Sequence, residues 1–176
     1  MPKLTREQAW TIHRRVARKV APQLAEELAR VSFAINQKEN RPFDTDAKNP
    51  GSSARGLMQM LSKTQCEVEQ KHLRLKQCDL NRIWDAEHAV LLAQTYMMFQ
   101  YKRYNGDWRK VAHAYNQGSY LPKLKRQFTD GELYANSVFA FYNSTDYAAL
   151  DRSIGETNVA SNRATKNKSY SFTEWA

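Results

Sequence analysis

The chain has 176 residues, of which 41% are hydrophobic and 11% aromatic, and its formal net charge is +9. This composition supplies the core of one domain and excludes wholesale disorder, while six glycines and five prolines exclude a collagen-like chain. The basic charge favours an anionic partner, such as nucleic acid, an acidic membrane face or an acidic cell-wall polymer.

No apolar run approaches the ~20 residues of a bilayer span, so the sequence predicts no membrane segment. Residues 1–7 contain no apolar run and do not predict a secretory signal, so synthesis in the cytoplasm and delivery by another component are expected. The two cysteines, Cys66 and Cys78, lack the CxxC spacing of a metal or redox site. Free thiols in a reducing cytosol are therefore predicted.

The chain is predicted to be mainly α-helical, with residues 1–21 forming a basic N-terminal helix. Thr5 and Gln8 fit a capping box at its start, and the helix is expected to run to about Val20. Pro22 suits the first turn of a second helix, which Pro42 must end. The apolar side chains of this second helix follow a helical period: Leu24, Leu28, Val31 and Ile35.

Four further helices are predicted. A third begins at Gly56 and turns Leu57 and Met58 inwards, and a long helix covers about residues 85–104. Asp107 is a good N-cap for a short helix that Gly118 terminates. A last helix covers about residues 130–142.

Residues 144–176 are rich in Ser, Thr, Asn and Ala and show no sustained period, which predicts an irregular C-terminal extension. Such a polar segment is more easily ordered by a partner than by its own core. Tyr170, Phe172 and Trp175 are the expected anchors. The predicted organisation is thus a basic helix at 1–21, a helical domain at 22–143 and a partner-bound tail at 144–176.

Glu39 is the most informative polar residue. Four residues beyond Ile35, it continues the apolar stripe of the second helix, which would place its carboxylate at the edge of the core. Burial raises the pKa of a carboxyl group, and a raised pKa suits a general acid near neutral pH. The alternative is that the helix ends by Lys38 and that Glu39 faces water.

Three motifs accompany this residue: Glu39-Asn40-Arg41-Pro42-Phe43, then Ser53-Ala54-Arg55-Gly56-Leu57-Met58-Gln59, then Ala114-Tyr115-Asn116-Gln117-Gly118. In order and spacing, they resemble the Glu-Ser-x-Phe, Gly-Leu-Met-Gln and Ala-Tyr-Asn-x-Gly motifs of the soluble lytic transglycosylase catalytic domain. The resemblance covers about residues 23–142 and includes weaker matches at residues 59–64 and 84–97. It implies a lysozyme-like helical fold.

The resemblance implies that Glu39 protonates the glycosidic oxygen between N-acetylmuramic acid and N-acetylglucosamine, and then takes the proton of the muramic acid 6-hydroxyl. That hydroxyl closes a 1,6-anhydro ring, so no water is consumed. Two-carboxylate glycosidases need a second acid at a defined distance. Asp44 and Asp46 are the nearest candidates for that acid, but turn formation is their expected role.

Six further residues are expected to contact the glycan strand: Gln59, Met58, Tyr115, Asn116, Tyr134 and Phe43. Plain core packing is the alternative for Met58, Tyr115 and Phe43. The acidic residue that the family often carries before the cleft tyrosine is either Asp130 or Glu132. The chain departs from the family pattern at Asn40, which replaces Ser, and at Ser53, which replaces Gly.

No cofactor or metal is expected, because the four histidines show no ligand spacing and there is no glycine-rich phosphate loop. Nucleic-acid binding rests on charge alone and is not expected. The resemblance and the tail together favour a bacteriophage enzyme carried in the virion, which acts on the host cell wall in the periplasm and contacts other virion or tail proteins through residues 144–176. The alternatives are an inactive structural component of a phage tail or ejection apparatus, and a lysozyme-type hydrolase or endolysin.

Overall fold

Helix α2 (Ala25–Glu39) lies at the centre of the fold and packs against α1 (Arg6–Val20), α4 (Ala86–Arg103) and α6 (Arg126–Ser144). The structure, a computed structural model, describes residues 3–120 and 126–160. This part of the chain contains seven α-helices: α1 (Arg6–Val20), α2 (Ala25–Glu39), α3 (Ser62–Glu67), α4 (Ala86–Arg103), α5 (Trp108–Gln117), α6 (Arg126–Ser144) and α7 (Tyr147–Ala160). The predicted mainly-α, lysozyme-like architecture is confirmed. None of the described helices combines the length and apolar character that a bilayer span needs.

Local capping signals fixed several helix ends as predicted. The capping box of α1 is formed, because the Gln8 amide N–H donates to Thr5 Oγ1 (3.1 Å) and the Thr5 N–H donates to Gln8 Oε1 (2.8 Å). Asp107 caps α5, and Gly118 ends it in the left-handed conformation at φ 81°. Pro22 begins a 3-10 turn, Pro22–Leu24, that leads into α2.

The centre of α2 is buried on its polar as well as its apolar side. His13 of α1 contacts Ser32 Oγ through Nδ1 (2.7 Å) and Asn36 Oδ1 through Nε2 (3.1 Å). Burial lowers the pKa of His13 to about 4, so the ring is neutral at physiological pH. The side-chain amide of Gln94 on α4 donates to the same Ser32 hydroxyl (2.9 Å). These bonds join three helices and fix the rotation of α2.

The predicted helix start at Gly56 is wrong. Gly56 has φ 72° and Gln59 has φ 49°, which no α-helix accommodates. The backbone instead folds back, so that Arg55 and Met60 exchange two hydrogen bonds of 3.2 Å each, and α3 begins only at Ser62. A Cβ at position 56 would lie 2.7 Å from the carbonyl oxygen of Ile83. Glycine is therefore required by close packing in a turn.

The expectation of an irregular extension does not hold for its first half, which forms α7. Asp146 caps this helix, since its carboxylate accepts the Ala149 N–H (2.9 Å), and Tyr147 and Leu150 join the same core as α1. The Trp10 indole N–H donates to Asp151 (2.8 Å) and fastens α7 to α1. The division of the chain at residues 21 and 143 stays a prediction. The expected anchors Tyr170, Phe172 and Trp175 lie outside the described residues.

The prediction of two free thiols is also wrong, because Cys66 and Cys78 form a disulfide with their Cα atoms 4.9 Å apart. The bond connects α3 to the loop before the 3-10 helix Leu80–Trp84. Beneath it, the buried Glu69 carboxylate accepts hydrogen bonds from Gln65 Nε2 (3.0 Å) and the Asp79 N–H (2.9 Å). The first part of the long connection between α3 and α4 is thereby fixed to α3 as far as Asp79.

Candidate active site

A cleft of about 320 Å³ lies where the C-terminal end of α2 meets the loop of residues 49–61 and helices α4 and α5. Three predicted site residues meet in its walls: Glu39 from α2, Gln59 from the loop and Tyr115 from α5. A fourth, Asn116, is exposed at the end of α5 and also lines the cleft. Segments that are distant in the sequence therefore converge on one groove.

Glu39 is the last residue of α2 and is half-buried. The last three apolar residues of the stripe that precedes it, Leu28, Val31 and Ile35, are fully buried in the core, which holds the Glu39 Cα at the edge of that core. Burial raises the pKa of the Glu39 carboxyl above its usual range, while the Tyr134 hydroxyl and the nearby Lys38 charge act in the opposite direction. It is the only carboxylate among the described residues that line the cleft.

Tyr134 of α6 is buried behind Glu39, and its phenolic O–H donates to Glu39 Oε1 (2.7 Å). Burial and the adjacent carboxylate hold the pKa of Tyr134 well above its usual value, so the phenol keeps its proton. Tyr134 does not line the cleft. Its hydroxyl orients the Glu39 carboxylate, and the direct contact with substrate expected of Tyr134 stays a prediction.

Tyr115 joins α5 to the loop of residues 49–61. Its hydroxyl donates to the carbonyl oxygen of Met58 (2.9 Å), and its ring packs edge-on against Tyr96 with the ring centroids 5.9 Å apart. Burial, followed by the Glu39 charge, raises the pKa of Tyr115 well above its usual value. The phenol therefore keeps its proton, and its hydrogen bond to Met58 fixes the orientation of the ring beside the cleft.

Gln59 is held by its own loop. Its side-chain N–H₂ donates to the carbonyl oxygens of Gly56 (2.9 Å) and Ala47 (3.3 Å). These two bonds compensate for the positive φ of this residue. The amide oxygen is the remaining polar atom of the side chain, and it suits a sugar hydroxyl or an N-acetyl N–H as donor.

Met58 and Phe43 are not among the residues that line the cleft, and the substrate contact expected of both stays a prediction. The Met58 side chain is fully buried, and only its carbonyl takes part in the site, through Tyr115. Phe43 is buried and stacks on Phe33 with the ring centroids 5.7 Å apart. The burial of both side chains agrees with the alternative of core packing, because burial removes their apolar surface from water.

The two departures from the family pattern have structural roles. The side-chain amide of Asn40 donates to the carbonyl oxygens of Asp44 (2.7 Å) and Leu57 (3.3 Å), which connects the end of α2 to both following loops. Ser53 Oγ accepts the Ser62 N–H (3.2 Å) at the start of α3. Asp44 accepts the Asp46 N–H (2.9 Å) in a local turn, as its expected role requires.

Sequence reasoning did not name four polar residues of the cleft as site residues: Asn49, Thr64, Tyr96 and Gln117. Tyr96 follows the buried Ala93 by three residues, so the helical period of α4 could have placed it next to that residue on the same face. Asn49 lies in a loop without a period and carried no such signal.

Helix α6, which carries Tyr134, lies closely against α5 at Gly131. A Cβ at position 131 would lie 2.3 Å from Nε2 of the buried His113. His113 Nδ1 contacts the Glu132 carboxylate (3.1 Å), and Arg109 also pairs with Glu132 (3.4 Å). Of the two acidic candidates, Asp130 and Glu132, it is therefore Glu132 that connects α6 to α5, through His113 and Arg109. In the described part of the chain, no group of three or more His, Cys, Asp or Glu could hold a metal ion.

The family model described as "Transglycosylase SLT domain" matches residues 19–134, a span that includes Glu39, the loop of residues 49–61, the end of α5 and Tyr134. Neither the curated proteins nor the solved structures gave a match.

Proposed function

The chain belongs to the transglycosylase SLT domain family, and from this premise we propose that Glu39 is the single acid and base with which it cleaves peptidoglycan. Peptidoglycan cleavage of the lytic transglycosylase type is the activity that the family supports in general. The specific proposal is that the chain breaks the bond between N-acetylmuramic acid and N-acetylglucosamine and leaves 1,6-anhydro ends.

One observation carries this proposal: the half-buried Glu39, with its raised pKa, is the only carboxylate among the described cleft residues. A glycosidase that uses water or a covalent intermediate needs a second carboxylate on the opposite side of the sugar. When the 6-hydroxyl of the substrate is the nucleophile, one protein carboxylate suffices.

In the first step, protonated Glu39 gives its proton to the glycosidic oxygen as the bond from that oxygen to C1 breaks. The N-acetyl group of the muramic acid stabilises the positive charge at C1. In the second step, the Glu39 carboxylate takes the proton of the 6-hydroxyl while the oxygen of that hydroxyl bonds to C1. Glu39 ends protonated, as it began, and the Tyr134 hydroxyl holds the carboxylate in place throughout.

The remaining cleft residues fit a saccharide ligand. Tyr115 offers a ring face, and Gln59 and Asn116 offer amides to hydroxyl and N-acetyl groups. The net charge of +9 favours approach to a wall rich in carboxylates.

We propose further that the chain is a bacteriophage component carried in the virion, with residues 161–176 binding another virion protein. Three aromatic residues within a polar sequence support the binding of another protein: Tyr170, Phe172 and Trp175. Proteomic analysis of purified particles tests it, because an endolysin would be found in the lysate and would be absent from particles.

Muropeptide analysis by mass spectrometry tests the enzymatic proposal. Anhydro ends support it, reducing ends would identify a lysozyme-type hydrolase, and no product would identify an inactive structural component with the same fold.

A further inference from the structure

A second cavity, of about 250 Å³, opens beside the cleft. Its walls include the side chains of Lys48, Arg55 and Trp84. Asn49 and Ala54 line both cavities. The two cavities are therefore adjacent, and one branched ligand can occupy both.

The backbone places the two cations of this basic pocket opposite each other. Lys48 and Arg55 form an antiparallel bridge, flanked by a hydrogen bond from the Asn49 N–H to the Ala54 carbonyl (3.0 Å). Directly opposed residues of an antiparallel pair point to the same face, with Cβ atoms about 4.5–5.5 Å apart. The backbone of Arg55 is also held by a second antiparallel bridge, to Met60.

Two like charges in this arrangement repel each other. Within residues 3–120 and 126–160, no carboxylate forms an ion pair with either cation. The Lys48 ammonium lies 5.5 Å from the centroid of the Trp84 ring, and Arg55 Nε donates to the Ser53 carbonyl (3.2 Å). These contacts orient the two cations without neutralising them, so an anion bound between them would relieve the repulsion.

We propose that this basic pocket binds a carboxylate of the peptide stem that branches from the glycan strand in the cleft. The inference rests on the proposed function, because the strand is what brings the stem to this position. An arginine fork matches a carboxylate in two-point contact, a lysine adds a point charge, and the Trp84 ring offers an apolar face to the peptide. The pocket would thus recognise the substituted strand in preference to the bare one.

The experiment compares two substrates: glycan strands that carry peptide stems, and the same strands after an amidase has removed the stems. Wild type is expected to cleave the substituted strands with a kcat/KM about tenfold higher. In the double variant Lys48→Gln/Arg55→Gln, this ratio should fall to about one. The backbone bridges do not involve these side chains, so the fold should persist.

The matched control is Arg18→Gln/Lys76→Gln, which removes the same charge from exposed positions that do not line the basic pocket. It should keep the wild-type ratio. A ratio that is equal in wild type and in the Lys48/Arg55 variant would overturn the inference while the proposed function stands. An equal loss of kcat/KM on both substrates in the Lys48/Arg55 variant would also overturn the inference, because it would indicate general damage to the enzyme.

Direct binding separates this inference from the enzymatic proposal. Calorimetric titration with the soluble stem peptide L-alanyl-γ-D-glutamyl-L-lysine should show binding to wild type that added salt weakens. The affinity should drop about tenfold in the Lys48/Arg55 variant and not in the control. If no glycan strand is cleaved, the proposed function fails, but this titration still shows whether the basic pocket binds the stem peptide. Absence of peptide binding to wild type would overturn the pocket.

Discussion

The hydroxyl of Tyr134 lies 2.7 Å from Oε1 of Glu39, although 95 positions of sequence separate the two residues. Glu39 ends the central helix, and Tyr134 is a buried residue about two turns into α6. Their contact links the position of α6 to the protonation and orientation of the carboxylate that we assign to catalysis.

Substitution Tyr134→Phe should raise the pKa of Glu39 further, because the hydrogen bond that favours the ionised carboxylate is lost while its burial remains. The free enzyme must hold Glu39 protonated, so activity falls as pH rises through this pKa. The alkaline limb of the kcat/KM profile should therefore move to higher pH in the variant. The maximal rate should drop by about 10–100-fold, as expected for the loss of a hydrogen bond to a charged group.

A pH profile that does not move in Tyr134→Phe would contradict this role. The matched control is Tyr142→Phe, also on α6, whose hydroxyl has no contact with Glu39. It should leave the profile where it is in wild type.

Substitution Glu39→Gln should increase stability at neutral pH. The folded-state pKa of Glu39 is raised, so the folded state binds more protons than the unfolded state between the two pKa values, and the wild type loses stability as pH rises through that window. Glutamine has no charge to bury and can still accept the Tyr134 hydrogen bond. Urea unfolding should show a higher midpoint for the variant at pH 7, and the difference should disappear below the ordinary pKa of a glutamate. A variant less stable at pH 7 would contradict the burial of this charge.

Substitution Gly131→Ala should lower both stability and activity. The added Cβ would lie 2.3 Å from His113, so α6 must shift, at a cost of about 1–3 kcal/mol. Because Tyr134 follows on the next turn, its contact with Glu39 should weaken. Thermal unfolding and kcat measure the two effects.

Gly155→Ala is the matched control for that substitution, because a Cβ at position 155 in α7 meets nothing within 4 Å. It should raise the stability by about 0.5–1 kcal/mol through helix propensity and leave the activity intact. Equal behaviour of the two variants would contradict the close packing of α6 on α5.

Reduction of the disulfide between Cys66 and Cys78 should cost about 3 kcal/mol, the value expected for a closed loop of this size. Thermal unfolding with and without dithiothreitol measures it. The Cys66→Ser/Cys78→Ser variant should unfold at the lower temperature in both conditions. A wild-type transition that dithiothreitol leaves unchanged would contradict the bond.

Local signals in the sequence predicted much of the fold. The capping box at Thr5, the Asp107 cap and Gly118 each fix a helix end through neighbouring residues alone. The same logic failed at Gly56, where the conformation depends on close packing against Ile83, 27 positions away in a different segment. It failed again at α7, whose polar composition concealed the Asp146 cap and the buried pair Tyr147 and Leu150.

The sequence likewise predicted only part of the candidate site. The period of α2 placed Glu39 at the edge of the core, and the family resemblance brought Gln59 and Tyr115 to the same groove. Neither source could distinguish a side chain that lines a cleft from one that supports it. Met58 contributes only its carbonyl, and Tyr134 contacts the carboxylate rather than the cleft. That distinction depends on helix packing, which no short motif encodes.

The most direct test of the account is mass spectrometry of peptidoglycan digested by wild type and by Glu39→Gln. We predict 1,6-anhydro-muramic acid ends from wild type, and a rate at least about 100-fold lower from the variant, as the loss of a general acid–base group requires. A Glu39→Gln variant that releases the same products at the wild-type rate would contradict the account.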